Sequence, residues 1–162
     1  LTTLRTTITV LLIWILGLSV GQAAGIPTVL LLENRSGGLS VRIDRATLEQ
    51  SSHVSELVTS TPWGKDVKRF TGLPLMSLPE LARVDDDETI TLTALNDYNI
   101  ELPPKWRQQA FLAWAQDGTY LKPDDKGYFW VLFDFDAMSD SAVKEVQSLA
   151  IWQLFRIEIR PR

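Results

Sequence analysis

The chain has 162 residues, 45% apolar and 22% charged, which is enough apolar material for one packed core and too little charge for wholesale disorder. Its formal charge of −4 argues against nucleic acid or an anionic membrane surface as a partner. It has no cysteine, which removes disulfides, thiolate metal ligands, c-type haem attachment and cysteine nucleophiles, and its single histidine, His53, cannot build a histidine-rich metal site.

The chain opens with LTTLRTTITVLLIWILGLSVGQAAG. One positive charge at Arg5, an apolar stretch over residues 8–20 and the small residues around Gly21-Gln22-Ala23 read as a signal peptide, residues 1–23, cleaved after Ala23. The apolar stretch is shorter than the ~20 residues that span a bilayer, so export is expected over an uncleaved anchor. The expected mature domain, 24–162, sits in the periplasm, free of the membrane, and losing Arg5 leaves it one unit more acidic than the whole chain.

In chain order, TVLLLE (28–33) reads as a strand and NRSGG (34–38) as a turn. LSVRI (39–43) alternates as a second strand, and Asp44 caps a helical turn over RATLEQ. HVSELVTST (53–61) alternates again, with Val54, Glu56, Val58 and Ser60 on one face. After the break at Pro62-Trp63-Gly64, VKRF (67–70) predicts a short strand, and LMSLPELAR a helix on the spacing of Leu75, Leu78 and Leu81, with Pro79 in its middle. The acidic run of residues 85–88 is a turn, TITLTAL (89–95) a strand, and NDYNIELP (96–103) its hairpin partner. A short helical stretch at Trp106, the strand FLAWAQ, a turn at Asp117-Gly118, the strand FWVLFDF, a capped helix from Ser139 and a last strand FRIEIR complete the chain. Many short strands with a few small helices predict an α+β fold with a mostly β core.

Most charged clusters have a plain reading. The run at 85–88 lacks the alternate spacing, glycine and terminal glutamate of a calcium loop and reads as a solvated turn. Asp134 and Asp136 suit an acid/base pair in principle, but are more simply the solvent face of an edge strand whose apolar face is Phe133 and Phe135. Lys65, Lys68 and Arg69 are read as surface charge.

Three segments together resemble the molybdopterin-binding oxidoreductases of the sulfite-oxidase type. They are TPWGKDVKRFTGLPLMSLPELA (61–82), TALNDYNIELP (93–103), and DGTYLKPDDKGYFWVLFDFD (117–136) with the tail SLAIWQLFRIEIR (148–160). The resemblance implies that family's fold, with the pterin in a pocket built from loops and Tyr98 lining the substrate pocket. Taken on its own alternation with Ile100 and Leu102, Tyr98 is equally a core residue. The departures are specific. Residues 58–61 stand where the family carries the cysteine that ligates molybdenum, and hydroxyls are poor substitutes for a soft anionic sulfur. Val131 stands where an arginine is expected, and Ile151 where a base precedes the tail tryptophan, Trp152.

These features predict an exported binding, accessory or signalling module without metal chemistry, for which no cofactor is expected. Its partner is a small ligand or a periplasmic protein, and Ser60, Thr61, Trp63, Asn96, Asp97 and Tyr98 line its candidate pocket. The alternative is a molybdopterin-dependent oxidoreductase without a protein thiolate, with Asp97 and Tyr98 orienting substrate and Ser60 or Thr61 near the metal. A third possibility is a structural or interaction domain in which Trp63, Trp106, Trp130 and Trp152 fill the pocket.

Overall fold

The computed structural model describes residues 29–161 other than Ser36, so the expected signal peptide lies outside the described residues. Two five-stranded sheets share one hydrophobic core. The first contains β1 (Val29–Asn34), β2 (Leu39–Asp44), β5 (Glu88–Ala94), β6 (Asn99–Leu102) and β10 (Leu154–Pro161) in the order β2-β1-β10-β5-β6. β1 and β10 pair in parallel, with Leu32 opposite Ile157, and its other pairs are antiparallel. The second contains β3 (Ser55–Thr61), β4 (Gly64–Pro74), β7 (Phe111–Gln116), β8 (Thr119–Tyr120) and β9 (Trp130–Leu132). Here β8 and β9 follow one another along β7, pairing with its C-terminal and N-terminal ends respectively.

Burial follows the alternation of the sequence where a strand has one wet face. Leu30 and Leu32 of β1 and Ile90 and Leu92 of β5 point into the core. In β3 only Thr59 is fully buried, while Glu56 and Val58, like Val54 just before the strand, are exposed. β7 does not alternate: Phe111 to Ala115 are all buried, as in a strand covered on both faces.

Three short α-helices, α1 (Arg45–Glu49), α2 (Pro104–Arg107) and α3 (Asp140–Val146), make this a mostly β member of the α+β class. Asp44 caps α1 by accepting from the Thr47 N–H at 2.7 Å, and Ser139 caps α3 through Ala142. The predicted strands and hairpins recur with shifts of a residue or two, and three segments differ. β4 is eleven residues long, because residues 64–72 pair with β3 and residues 70–74 with β7. Gly72 lies at a bulge in the β4–β7 pairing, where a Cβ would stand 2.0 Å from the Leu112 carbonyl oxygen. LMSLPELAR is not an α-helix but a 3₁₀ turn (Leu75–Ser77) followed by turns, since Pro79 interrupts helical bonding; Leu75, Leu78 and Leu81 are nevertheless all buried. FWVLFDF leaves strand conformation after Leu132 and forms a 3₁₀ turn (Phe135–Ala137) capped by Asp134.

One buried cation joins two of these segments. Arg107, 3% exposed, donates to the carbonyls of Asp85 (3.0 Å), Glu88 (2.5 Å) and Leu102 (3.5 Å), binding the end of α2 to the acidic turn and to β6. A guanidinium fork can serve three diverging carbonyls, whereas an ammonium concentrates its donors at one point. Arg107→Lys is expected to destabilise the fold by about 2 kcal/mol or more in denaturant titration, the scale of lost charge-assisted bonds to buried acceptors; a loss under about 0.5 kcal/mol would show the clamp to be unimportant.

Candidate functional site

Trp63 sits at the tip of the β3–β4 hairpin, in a two-residue loop closed by pairing of Thr61 with Gly64. Its ring is 50% exposed and lies 5.6 Å from Trp152 and 6.1 Å from Trp130. Trp152 is 42% exposed, and Trp130, packed edge-on against Phe70 at 5.4 Å, is buried. Three of the four tryptophans considered as pocket filling thus converge, and Trp106 stands apart beside Lys105. Two of the three reach the surface, where an isolated apolar ring is ordinary but a contiguous group marks a contact site.

Trp152 is held by a backbone crossing. Gln153 donates its N–H to the Lys126 carbonyl and its side-chain amide to the Pro123 carbonyl, and its own carbonyl accepts from Leu95. Val131 donates to Ile151, and Leu154 to Phe129, so residues 151–154 are laced to the loop 122–131. The two segments approach so closely that a Cβ on Gly127, which has a φ of +78°, would stand 2.3 Å from the Gln153 Cα. Gln153 itself has a φ of 55°, a left-handed conformation that a non-glycine residue keeps only where its surroundings impose it.

The bond from Leu95 brings in the β5–β6 turn. Asp97 N–H donates to Ala94, Asp97 adopts a φ of 64°, and Ala94 N–H donates to Tyr98, which is a type I turn closed by a left-handed residue. The Asn96 side-chain oxygen accepts from the Tyr98 N–H at 3.2 Å. The turn therefore carries Tyr98 out of the core to 52% exposure. Between this turn, the Trp63 hairpin and the segment after α3 lies a cleft of about 310 Å³, lined by Trp63, Asn96, Tyr98, Gln147, Ser148 and Trp152 among others. None of its lining residues carries a formal charge.

Of the residues singled out from sequence, Trp63, Asn96 and Tyr98 meet in this cleft, and Asp97 does not line it. Thr61 lines a second cleft of about 380 Å³ on the other side of Trp63 and Trp152, with Asp66, Lys68 and Lys126. Ser60 lines neither cleft. Its N–H and hydroxyl donate to Asp136 at 2.7 and 2.5 Å, and the Asp136 N–H donates to the Thr59 hydroxyl, so Asp136 ties its 3₁₀ turn to β3. Gln147 and Ser148 are site residues that sequence reasoning did not select, and Trp152 entered it only as one of the four tryptophans that could fill the pocket.

The pterin implied by the resemblance can be tested against these positions. Thr59 is buried and its hydroxyl bonded to the Ser60 carbonyl and Asp136, and the Ser60 hydroxyl is engaged by Asp136. Val131 and Ile151, where cations are expected, are both buried apolar side chains. In the second cleft Lys68 faces Asp117 at 3.6 Å and Lys126 faces Asp125 at 2.6 Å, with Asp66 a further acid. These residues do not fit a dianionic phosphate or a soft metal centre. Among the described residues, no three of His, Asp and Glu cluster as a metal-binding group. No family model matches the chain, and no curated protein matches it.

The bonds from Ser60, side-chain first and then backbone, hold the Asp136 carboxyl below its ordinary value of 3.8. Its contribution to stability is complete above the unfolded value and is lost as pH falls below 3.8 through the folded one. Asp136→Asn is therefore expected to flatten the decline in denaturation midpoint on acidification through that window; an unchanged acid limb would show that the Ser60–Asp136 bonds do not stabilise the fold.

Proposed function

We propose that this chain is a non-catalytic binding domain, exported to the periplasm by residues 1–23, whose scaffold resembles that of the sulfite-oxidase-type oxidoreductases without their metal chemistry. The observation carrying this reading is the half-exposed Trp63–Trp152 pair, 5.6 Å apart, standing as a wall beside an open cleft edged by Asn96 and Tyr98. Concave sites of a few hundred Å³ with aromatic walls and a few convergent polar groups are the usual form of a small-molecule site. The carboxylates offered as an acid/base pair are both occupied in structural bonds: Asp134 caps the 3₁₀ turn and Asp136 holds Ser60. What recommends a binding role over pocket filling is that the cleft stays open although three tryptophans converge beside it.

Two measurements test this. In a ¹⁵N-indole NMR screen against a chemically mixed fragment library, the Trp63 and Trp152 signals are expected to shift while those of buried Trp114 and Trp130 stay fixed; no shift from any fragment class would remove the reading. In parallel, Trp63→Ala is expected to cost about 1 kcal/mol of stability and Trp130→Ala about 3–5 kcal/mol. Equal costs would make Trp63 a structural ring.

A further inference from the structure

The lining of the cleft narrows what it can hold, given the binding role proposed above. An anionic ligand finds no counter-charge, because every lining residue is neutral. A cationic one finds no carboxylate in the lining, and the Lys126 ammonium, itself paired with Asp125, already lies 5.7 Å from the Trp152 ring. A wholly apolar ligand would strip water from Asn96, Tyr98, Gln147 and Ser148 and return no hydrogen bonds to them.

What remains is a neutral molecule with one apolar face and an edge of groups that both donate and accept. The Asn96 side-chain oxygen is taken by Tyr98, which leaves its NH₂ to donate; the Ser148 hydroxyl donates to the Glu145 carbonyl, which leaves its oxygen to accept. Gln147 and the Tyr98 hydroxyl offer both. The indole faces are electron-rich and attract the weakly positive C–H face of a saturated ring. We propose that this cleft binds a neutral saccharide, a pyranose ring laid against Trp63 and Trp152 with its equatorial hydroxyls directed to Asn96, Tyr98, Gln147 and Ser148.

The test titrates the full protein, ¹⁵N-indole labelled, with chitotetraose, cellotetraose and maltotetraose, and separately with choline and inorganic phosphate. At least one tetrasaccharide is expected to shift the Trp63 and Trp152 indole signals at millimolar concentration or below, with choline and phosphate inert. Trp63→Ala should weaken that binding about tenfold or more, and Gln147→Ala about two- to tenfold, the worth of one stacking ring and one hydrogen bond. Gln147 is exposed at the end of α3, so its variant reads binding even where a tryptophan variant folds poorly. If the tetrasaccharides leave both signals fixed while choline, phosphate or a library fragment moves them, the saccharide assignment falls and the binding role stands. If nothing moves them, both fall.

Discussion

Gln153 is the residue through which the parts of the site are joined. Its backbone and side chain bond the loop 122–131, its carbonyl holds the β5–β6 turn, and its Cα rests against Gly127 where no side chain fits. Three segments distant in sequence, bearing Trp130, Trp152 and the Asn96–Tyr98 turn, are thereby fixed to one another by main-chain bonds. A left-handed glutamine costs on the order of 1–3 kcal/mol. The three hydrogen bonds that Gln153 makes explain why it persists, and the resulting cleft exists before any ligand arrives, which lowers the ordering cost of binding.

The chain does this without a covalent staple. Having no cysteine, it relies on a core in which both sheets contribute aliphatic and aromatic side chains, and on polar bonds placed where regular structure ends. Arg107 satisfies carbonyls at the foot of the acidic turn. Asp136 and Asp134 serve a 3₁₀ turn, and Glu158, 3% exposed, is paired with Arg160 and Arg35, which hold its carboxyl below the usual range. An acidic protein thus has several of its acids committed to structure, and the cleft itself is left uncharged. That neutrality, set between an aromatic wall and four neutral polar groups, distinguishes this cleft from its neighbour across the wall, where lysines and aspartates mix.

Much of the architecture is legible from local sequence because local physics decides it. Asp117-Gly118 forms a tight hairpin with two left-handed residues, Asp44 and Ser139 cap helices, and alternating runs become strands. Where reading failed, tertiary pairing had won. Residues 64–66 look like loop, yet β3 recruits them into a long strand, and the alternation of FDFD is broken because Asp134 and Asp136 find better partners in the turn and in β3. Tyr98 shows the same limit within the site. Its alternation with Ile100 and Leu102 suits core packing, but the turn that ends at Asp97 rotates it to the surface. Nothing near Gln147 or Ser148 marks them as partners of Trp63, and which of the other tryptophans meets it is decided by bonds between the tail and the loop 122–131.

Everything in the site depends on this crossing holding Trp130 and Trp152 fixed against each other. Native-state hydrogen exchange at the amides of Val131, Gln153 and Leu154 tests it most directly. A fixed crossing exchanges these protons only through global opening, with the same free energy as Leu92 and Ile157 in the sheet core. Exchange at the rate of exposed loop amides would mean that the wall is not preformed, and the cleft would lose its standing as a built site.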